Sequence, residues 1–351
     1  MTTSNKRISS IDPILAPSEL LSKLPSSDSI ETLITQTRTR ISDILHKKSK
    51  RFLVVCGPCS VHDPASAIEY AKKLAELRSH YANDLEILMR VYFEKPRTTI
   101  GWKGLINDPD LNQSYDVNKG LAIARQVLLD INQLGLPAGC EFLDAVTGQY
   151  YADLVSWGAI GARTTESQVH REIASGLSCP VGFKNGTNGN VTIAADAVIA
   201  AQAKHIFLSP TEQGNTALFT TAGNEDGHII LRGGTQPNYD TKSVYDASEV
   251  LAKRGIKTGI MVDFSHANSR KQYKNQLKVG TDIAAQIAAG NDNLVSCMIE
   301  SHLVEGRQDA VPGKPSVYGQ SITDACIHFA DTESLIDELA TAVRKRRGYL
   351  F

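Results

Sequence analysis

Short apolar runs alternate with amphipathic, helix-like stretches from Arg51 onward, and this pattern predicts strands and helices in turn. The apolar runs are Phe52–Val55, Glu86–Tyr92, Ala138–Phe142, Ala159–Ala162, Val181–Lys184, His228–Arg232, Gly259–Phe264 and Leu294–Glu300. The helix-like stretches lie near residues 64–80, 117–134, 147–156, 165–176, 190–204, 241–254, 281–290 and 331–347. Because most strand-like runs are separated by one helix, we expect a parallel sheet covered by helices.

At 351 residues, a closed (β/α)8 (TIM) barrel over residues 51–351 is the expected α/β fold, and an open doubly wound sheet is the alternative. Two further β-like runs, His205–Ser209 and Ala217–Thr221, flank Gly214. They predict a hairpin of about residues 205–221, inserted before the sixth barrel strand. Residues 1–50 form a separate N-terminal extension with a helix near residues 29–47, which we interpret as an arm for oligomer contact or regulation.

Composition and charge narrow the class of protein. Hydrophobic residues make up 42% of the chain, which is enough for a large core. A net charge of −1 argues against a general nucleic-acid binder. With no long apolar run and no apolar segment at the N-terminus, we expect neither a membrane helix nor a secretory signal. Six cysteines are too few for a disulfide scaffold, so we expect a cytoplasmic protein.

Charged, cysteine or histidine residues occur at or just beyond nearly every strand-like run. In a barrel the carboxyl ends of the strands share one mouth, where the active site lies. The cations there are Arg90, Lys95, Arg97, Arg163, Lys184 and Arg232. Such a set suits two phosphates and a carboxylate. The alternative is that single members pair with local acids such as Glu94, Glu141 or Glu166.

A second set combines one thiol, one imidazole and two carboxyl groups: Cys59, His266, Glu300 and Asp324. These residues lie at or after the ends of strands one, seven and eight, which are neighbours in a closed barrel. Together they suit a divalent metal ion. Cys56 and Cys59 also form a Cys-x-x-Cys pair, which in a thioredoxin-like protein would be redox-active. The length of the chain and the cation set argue against that alternative.

Several long segments together resemble one family, the type I 3-deoxy-D-arabino-heptulosonate-7-phosphate (DAHP) synthases that are regulated by aromatic amino acids. The matching segments are Gly57-Pro58-Cys59-Ser60, Arg90 to Thr99, Gly161 to Ser167, Pro180 to Thr187, Ile229 to Gly234, Asp263 to Ser269 and Ser321 to Cys326. The resemblance runs from about Arg51 to about Arg347. It implies a TIM barrel and a metal-dependent, aldol-type condensation of phosphoenolpyruvate with erythrose 4-phosphate and water, which gives DAHP and phosphate at the start of the shikimate pathway.

The resemblance also implies roles for particular residues. Cys59, His266, Glu300 and Asp324 match the ligands of a divalent metal, for which Mn, Fe, Co and Zn are all compatible. Residues matching the phosphoenolpyruvate site are Arg90, Lys95, Glu141, Gly161, Ala162, Arg163, Lys184 and Arg232. Arg97 and Thr98 match contacts to the sugar phosphate. We interpret Lys95 as a proton donor near C2 of phosphoenolpyruvate.

Regulation by an aromatic amino acid, with phenylalanine favoured, is implied by matches to an inhibitor pocket. These matches are Phe142, Gln149, Leu177, Ser178, Phe207 and Ser209. Gly148 stands where the relatives carry proline, and Ser4, Asn5 and Lys6 stand where they carry acidic residues, so an altered response is the alternative. The family also implies a homodimer or homotetramer.

Three other functions are alternatives to this one. A sibling family condenses phosphoenolpyruvate with arabinose 5-phosphate, but it carries a different segment at positions 95–99. A catalytically inactive, phosphosugar-binding homologue would not need every metal and anion position filled. A thiol-disulfide oxidoreductase would keep its activity in the presence of a chelator.

Overall fold

A closed parallel barrel forms the body of the protein in the computed structural model, which describes residues 3–97, 100–310 and 317–348. Its strands in chain order begin with β1 (Phe52–Gly57), β2 (Leu85–Arg90), β3 (Ala138–Glu141), β4 (Trp157–Ile160) and β5 (Val181–Lys184). An antiparallel hairpin of β6 (Ile206–Pro210) and β7 (Thr216–Thr220) follows. The barrel resumes with β8 (His228–Leu231), β9 (Ile260–Asp263) and β10 (Leu294–His302).

Barrel closure is shown by the pairing of the first and last strands. β1 pairs in parallel with β2 on one side and with β10 on the other, so that Gly57 lies opposite Glu300. The other pairings join successive barrel strands, and β8 takes the place after β5 because β6 and β7 form the separate hairpin. The expected TIM barrel and its inserted hairpin are therefore confirmed, and the open sheet is excluded.

Helices cover the barrel and bring the chain back between parallel strands. They are α1 (Pro17–Lys23), α2 (Asp28–Leu45), α3 (Pro64–His80), α4 (Val117–Gln133), α5 (Gln168–Gly176), α6 (Val191–Gln202), α7 (Thr241–Lys253), α8 (Asn275–Ala288) and α9 (Phe329–Gly348). Three short strands, β11 (Val304–Arg307), β12 (Gln320–Ser321) and β13 (Ile327–His328), lie between β10 and α9. The barrel strands are almost entirely buried, which explains why their sequences are apolar without alternation.

Two helix predictions were wrong in detail. The stretch 147–156 forms two 3-10 turns, Thr147–Tyr150 and Ala152–Leu154, instead of one α-helix. A carboxylate oxygen of Asp144 accepts hydrogen bonds from the backbone N–H groups of Val146 and Thr147, and this local turn competes with a regular helix. The helix expected at 281–290 is α8, which begins six residues earlier at Asn275.

Helix α2 packs across the amino-terminal end of the barrel. Its Ile41, Ile44 and Leu45 are fully buried and join a cluster with inward-facing residues of the barrel. The backbone N–H of Gly259, just before β9, donates a hydrogen bond of 2.8 Å to the carbonyl of Leu45. This end of the barrel is therefore packed with apolar side chains, and the carboxyl ends of the strands are left to form the site.

Candidate active site

The carboxyl ends of the barrel strands surround a cavity of about 360 Å³, which we call the cation cavity. Its lining is dominated by Arg and Lys side chains. The lining residues are Arg90, Lys95, Pro96, Arg97, Ile100, Glu141, Gly161, Ala162, Arg163, Thr164, Lys184, Arg232, His266, Lys271 and Asp324. All the expected substrate contacts in the described part of the chain are in this set. Thr98 lies outside the described residues.

Arg90 lies at the base of the cation cavity and connects two elements of the barrel. Its Nε donates a hydrogen bond to the carbonyl of Pro58, and its Nη2 donates to the carbonyl of Cys59, each at 3.1 Å. The same Nη2 lies 3.0 Å from Oε1 of Glu300, and the guanidinium stacks 3.5 Å from the centre of the Tyr92 ring. Burial disfavours the charged form of Arg90, but Tyr92 and Glu300 outweigh it and raise its pKa. Arg90 therefore stays cationic although it is only 1% exposed.

Cys59, Glu300 and Asp324 form a compact group beside Arg90. One donor atom from each lies within 4.8 Å of the other two. The Sγ of Cys59 lies 3.5 Å from Oδ2 of Asp324, and Nζ of Lys95 donates a hydrogen bond of 3.0 Å to that sulfur. Burial, and then the Glu300 carboxylate, raise the pKa of the Cys59 thiol to about 11. A bound cation would reverse that preference and favour the thiolate.

His266, the fourth expected metal ligand, faces the same group but stands slightly apart. Its Nε2 lies 4.0 Å from Oε1 of Glu300, and it is not part of the 4.8 Å set. Oε1 of Glu300 is buried and accepts no well-aligned hydrogen bond from the described residues, whereas Oε2 accepts one from Ser265. The Arg90 guanidinium lies 3.0 Å from Oε1, and a buried carboxylate beside a thiol and an imidazole fits a site for a divalent metal.

Asp263 was missed by the sequence analysis, although it begins one of the segments that carry the family resemblance. Its Oδ2 lies 2.8 Å from Nδ1 of His266 and 3.0 Å from Nζ of Lys184. Burial raises the pKa of Asp263, but His266 and Lys184 outweigh it and hold the pKa well below its usual range. The Asp263 carboxylate therefore lies behind the His266 ring, a common arrangement for a metal-binding histidine.

The opposite wall of the cavity carries Gly161, Arg163 and Arg232. A Cβ at Gly161 would lie 2.4 Å from a carboxylate oxygen of Glu141, so a side chain at this position would require the Glu141 carboxylate to move. Nε of Arg232 is buried and makes no hydrogen bond to the described residues. Burial lowers the pKa of Arg232, and repulsion from Arg163 adds to this although Asp263 opposes it. An anion between the Arg163 and Arg232 guanidiniums would stabilise the buried charge of Arg232 and offset its repulsion from Arg163.

Cys56 and Cys59 face different surroundings. Sγ of Cys56 lies 3.2 Å from the hydroxyl of Tyr70 on α3, within the apolar layer between barrel and helices. Burial raises the pKa of Cys56 to about 12. Cys59 instead faces Lys95 and Asp324 at the barrel mouth. Their arrangement does not support a reactive dithiol of the thioredoxin kind.

A second cavity of about 760 Å³ lies between the outside of the barrel and the β6–β7 hairpin. The six positions expected for an inhibitor pocket all line it: Phe142, Gln149, Leu177, Ser178, Phe207 and Ser209. Gly148 lines it as well, and a Cβ there would make only ordinary contact, at 3.4 Å, with the ring of Phe142.

Lys271 is a further cavity residue that the sequence analysis did not identify. It follows His266 by five residues, and both belong to the turn after β9. A lysine in a polar turn carries no signal of its own, because only the folded turn brings it to the cavity.

A closed barrel with cations and a thiol–carboxylate group at its mouth defines an enzyme of the TIM-barrel class that acts on anionic substrates. The model of the DAHP synthetase I family matches residues 30–337. The chain belongs to the DAHP synthetase I family, which confirms the family and the enzyme class that the sequence motifs predicted. Among the described residues, no helix is both long and apolar enough to cross a membrane.

Similar proteins span the whole chain. The Phe-sensitive phospho-2-dehydro-3-deoxyheptonate aldolase of Escherichia coli K12 is 56% identical over 342 residues, which cover 97% of this chain and 98% of the relative. A Trp-sensitive enzyme of the same name from Enterobacter agglomerans is 54% identical over 344 residues, 98% of this chain and 99% of the relative. The solved structure of the phospho-2-dehydro-3-deoxyheptonate aldolase from Francisella tularensis SCHU S4 matches with a TM-score of 0.95 and 50% identity, over 97% of this chain and 99% of that chain.

Proposed function

We propose that the cation cavity is where phosphoenolpyruvate, erythrose 4-phosphate and water are converted to DAHP and inorganic phosphate. The observation that carries this proposal is the position of the Cys59–Glu300–Asp324 group directly beside a cavity lined with cations. Phosphoenolpyruvate carries a phosphate and a carboxylate, and the sugar brings a second phosphate. The guanidiniums and ammoniums that line the cavity complement these charges.

The family resemblance assigns the contacts to each substrate, and the grouping of these residues around one cavity supports the assignment. Arg90, Arg163, Lys184 and Arg232 bind phosphoenolpyruvate, with Glu141 and the backbone of Gly161 and Ala162 lining its site. Arg97 binds the sugar phosphate, and we assign Thr98 the same role from its place in the sequence. Holding both substrates in line brings C3 of phosphoenolpyruvate to the aldehyde carbon, and this positioning removes much of the entropic barrier to carbon–carbon bond formation.

Cys59, His266, Glu300 and Asp324 would hold a divalent metal ion, for which Mn, Fe, Co and Zn all suit these ligands. When bound, the metal supplies a Lewis acid for the aldehyde oxygen. Oδ2 of Asp263 lies 2.8 Å from Nδ1 of His266, which would leave Nε2 as the ring nitrogen available to a metal.

Lys95 is the proposed proton donor at the C2 end of phosphoenolpyruvate. Burial disfavours its charged form, but the Cys59, Glu300 and Asp324 groups outweigh that effect and raise its pKa. The C2–C3 π electrons of phosphoenolpyruvate form the bond to the aldehyde carbon, and water adds at C2. The C2–O bond to the phosphate then breaks, and the departing phosphate takes a proton from Lys95. The two protons that water gives up protonate the former aldehyde oxygen and restore Lys95. Lys95 therefore supplies a proton where negative charge develops on the leaving group.

Release of inorganic phosphate tests this function. The metal-loaded enzyme should release phosphate only when both substrates are present, and a chelator should abolish release until Mn, Fe, Co or Zn is restored. Arabinose 5-phosphate in place of erythrose 4-phosphate is the matched control. Faster release with arabinose 5-phosphate would assign the chain to the sibling activity instead.

We propose in addition that an aromatic amino acid, with phenylalanine favoured, binds the second cavity and inhibits the enzyme. Its apolar wall of Phe142, Leu177 and Phe207 suits an aromatic ring, and its polar residues suit an amino-acid backbone. Titrations of activity with phenylalanine, tyrosine and tryptophan, each alone, test the choice of effector. No inhibition by any of the three would contradict it.

The proposed quaternary state is a homodimer or homotetramer, with residues 1–50 as an arm that contacts a neighbouring subunit. Ile206, Leu208 and Leu218 on the outer face of the hairpin are 65%, 70% and 66% exposed. Ile8, Ile11 and Ile14 of the arm are also exposed. Apolar surfaces of this kind are typical of subunit contacts. Light scattering coupled to size-exclusion chromatography measures the state, and a monomer would contradict the proposal.

A cytoplasmic location is the proposed setting. The six cysteines are all buried and unpaired, which is compatible with a reducing compartment. Fractionation of the source cells tests this placement, and recovery of the protein outside the cytoplasm would contradict it.

A further inference from the structure

The charges of the cation cavity are only partly balanced by the protein. Three of its cations have acidic partners: Arg90 has Glu300, Lys95 has Asp324, and Lys184 has Asp263, at 3.0 to 3.6 Å. The remaining Arg and Lys side chains of the lining form no ion pair with a carboxylate in the part of the chain that is described. They are Arg97, Arg163, Arg232 and Lys271.

Lys271 differs from the other three because it is carried by a tight turn. His266, Arg270 and Lys271 all have left-handed backbone conformations, with φ of 54°, 53° and 58°. The N–H of Lys271 donates a hydrogen bond of 2.9 Å to the carbonyl of His266, which closes the turn. Such conformations cost energy for residues other than glycine, so the surrounding contacts must hold them in place.

Those contacts fasten the turn to the strand end that carries Arg232. The N–H of Ala267 donates to the carbonyl of Arg232 at 3.2 Å, and Nδ2 of Asn268 donates to the carbonyl of Leu231 at 3.1 Å. A side chain at Gly233 would lie 2.7 Å from the backbone N of Asn268, so the two loops touch directly. The base of Lys271 is therefore fixed relative to Arg232, and both residues line the cavity.

We propose that Lys271 binds the phosphate monoester that lies between Arg163 and Arg232, and that this phosphate belongs to phosphoenolpyruvate. The proposal deepens the proposed function and rests on it. A phosphate monoester carries a charge of about −1.5 to −2 at neutral pH and has three strong acceptor oxygens. Arg232, which forms no ion pair with a carboxylate among the described residues, supplies a guanidinium at that wall of the cavity, and the Lys271 ammonium supplies a mobile second charge.

Three variants test the contact. Lys271→Asn removes the ammonium but tolerates the left-handed backbone. Lys271→Arg keeps the charge. Arg270→Asn is the matched control, because Arg270 is an exposed neighbour with nearly the same φ and does not line the cavity. Thermal unfolding of each variant shows whether the fold is retained.

In Lys271→Asn the KM for phosphoenolpyruvate should rise about tenfold, the change expected for loss of one charge-assisted contact at a partly exposed site, with kcat within about twofold. The KM for erythrose 4-phosphate should be unchanged. Lys271→Arg should recover most of the loss, and Arg270→Asn should behave like the parent enzyme. Raising the salt concentration should weaken the parent more than Lys271→Asn.

A binding titration of phosphoenolpyruvate alone, by calorimetry on the metal-loaded enzyme, gives a readout that needs no turnover. The same tenfold weakening is expected there. Unchanged binding in Lys271→Asn, or equal losses in Lys271→Asn and Lys271→Arg, would overturn the proposal. A rise in the KM for erythrose 4-phosphate alone would overturn the placement beside Arg232. Absence of any condensation by the parent enzyme would refute the proposed function, while the titration would still decide the role of Lys271.

Discussion

Arg90 and Glu300 form an ion pair of 3.0 Å between two side chains that are 1% and 0% exposed. Breaking a buried pair of this kind leaves an unpaired charge, which is costly in the protein interior. The same Arg90 also holds the carbonyls of Pro58 and Cys59, so one guanidinium fixes both the Cys59 loop and the Glu300 carboxylate. The geometry of the proposed metal site therefore depends on a residue that is itself a proposed substrate contact.

Replacing Arg90 by lysine should reduce kcat/KM at least about 100-fold, since lysine cannot make the two backbone contacts and the ion pair with one planar group. Steady-state kinetics with both substrates measures the loss. Arg40→Lys is the control, because Arg40 pairs with Glu86, outside the cavity, and its kcat/KM should stay close to that of the parent. A kcat/KM for Arg90→Lys within threefold of the parent would contradict the dual role of Arg90.

Replacing Asp263 by asparagine should weaken metal binding by about 10- to 100-fold, because the His266 ring loses its charged partner. Competition with a fluorescent chelator measures the affinity without turnover. Asp226→Asn serves as the matched control, since Asp226 accepts hydrogen bonds from Ser42 and His46 far from the mouth. Equal metal affinities in Asp263→Asn and the parent would show that Asp263 does not support metal binding.

His228 should make the folded state sensitive to acid. It is fully buried and accepts a hydrogen bond of 3.2 Å from Nε1 of Trp157, and burial lowers its pKa from 6.5 to about 4. The unfolded chain binds the proton more readily, so this contribution to stability is complete above pH 6.5 and is lost as the pH falls toward 4. The full loss is roughly 3 kcal/mol.

Urea unfolding of the parent and of His228→Gln at about pH 7.5 and about pH 5 tests this effect. The difference in the free energy of unfolding between the two proteins should shrink by roughly 2 kcal/mol at the lower pH. His80→Gln is the control, because His80 is exposed at the end of α3. A difference that is the same at both pH values would show that His228 does not titrate in this way.

Filling the second cavity should separate inhibition from catalysis. Ser209 is buried and lines the cavity, so Ser209→Leu should raise the concentration of aromatic amino acid needed for half-inhibition at least about tenfold, by excluding the ring, while basal kcat stays within about twofold. Inhibitor titrations at fixed substrate concentrations measure this. Thr216→Leu, an exposed change on the same hairpin, should leave inhibition intact. Unaltered inhibition in Ser209→Leu would place the effector elsewhere.

Most segments that carry chemistry were recognisable along the chain because they lie at or just beyond the end of a buried strand. The runs that end near Arg90, Lys184 and Arg232 are apolar for a local reason: parallel barrel strands are covered on both faces, so their residues do not alternate. The repeated order of strand and helix then predicted a barrel. The long matching segments indicated the family. The six positions around the second cavity were found from the same resemblance, although nothing in their spacing indicates a cavity.

Other features of the site depend on contacts that form only in the closed barrel. The pairing of β1 with β10 brings Cys59 and Glu300 together across more than 200 residues of chain, and no local pattern encodes that distance. The bridge from Asp263 to His266 and Lys184, the support of Arg90 by Tyr92, and the reach of Lys271 into the cavity depend on side-chain directions set by packing. Sequence periodicity indicates which residues are buried. The register of distant strands, together with the loops that pack on them, determines which charges face one another.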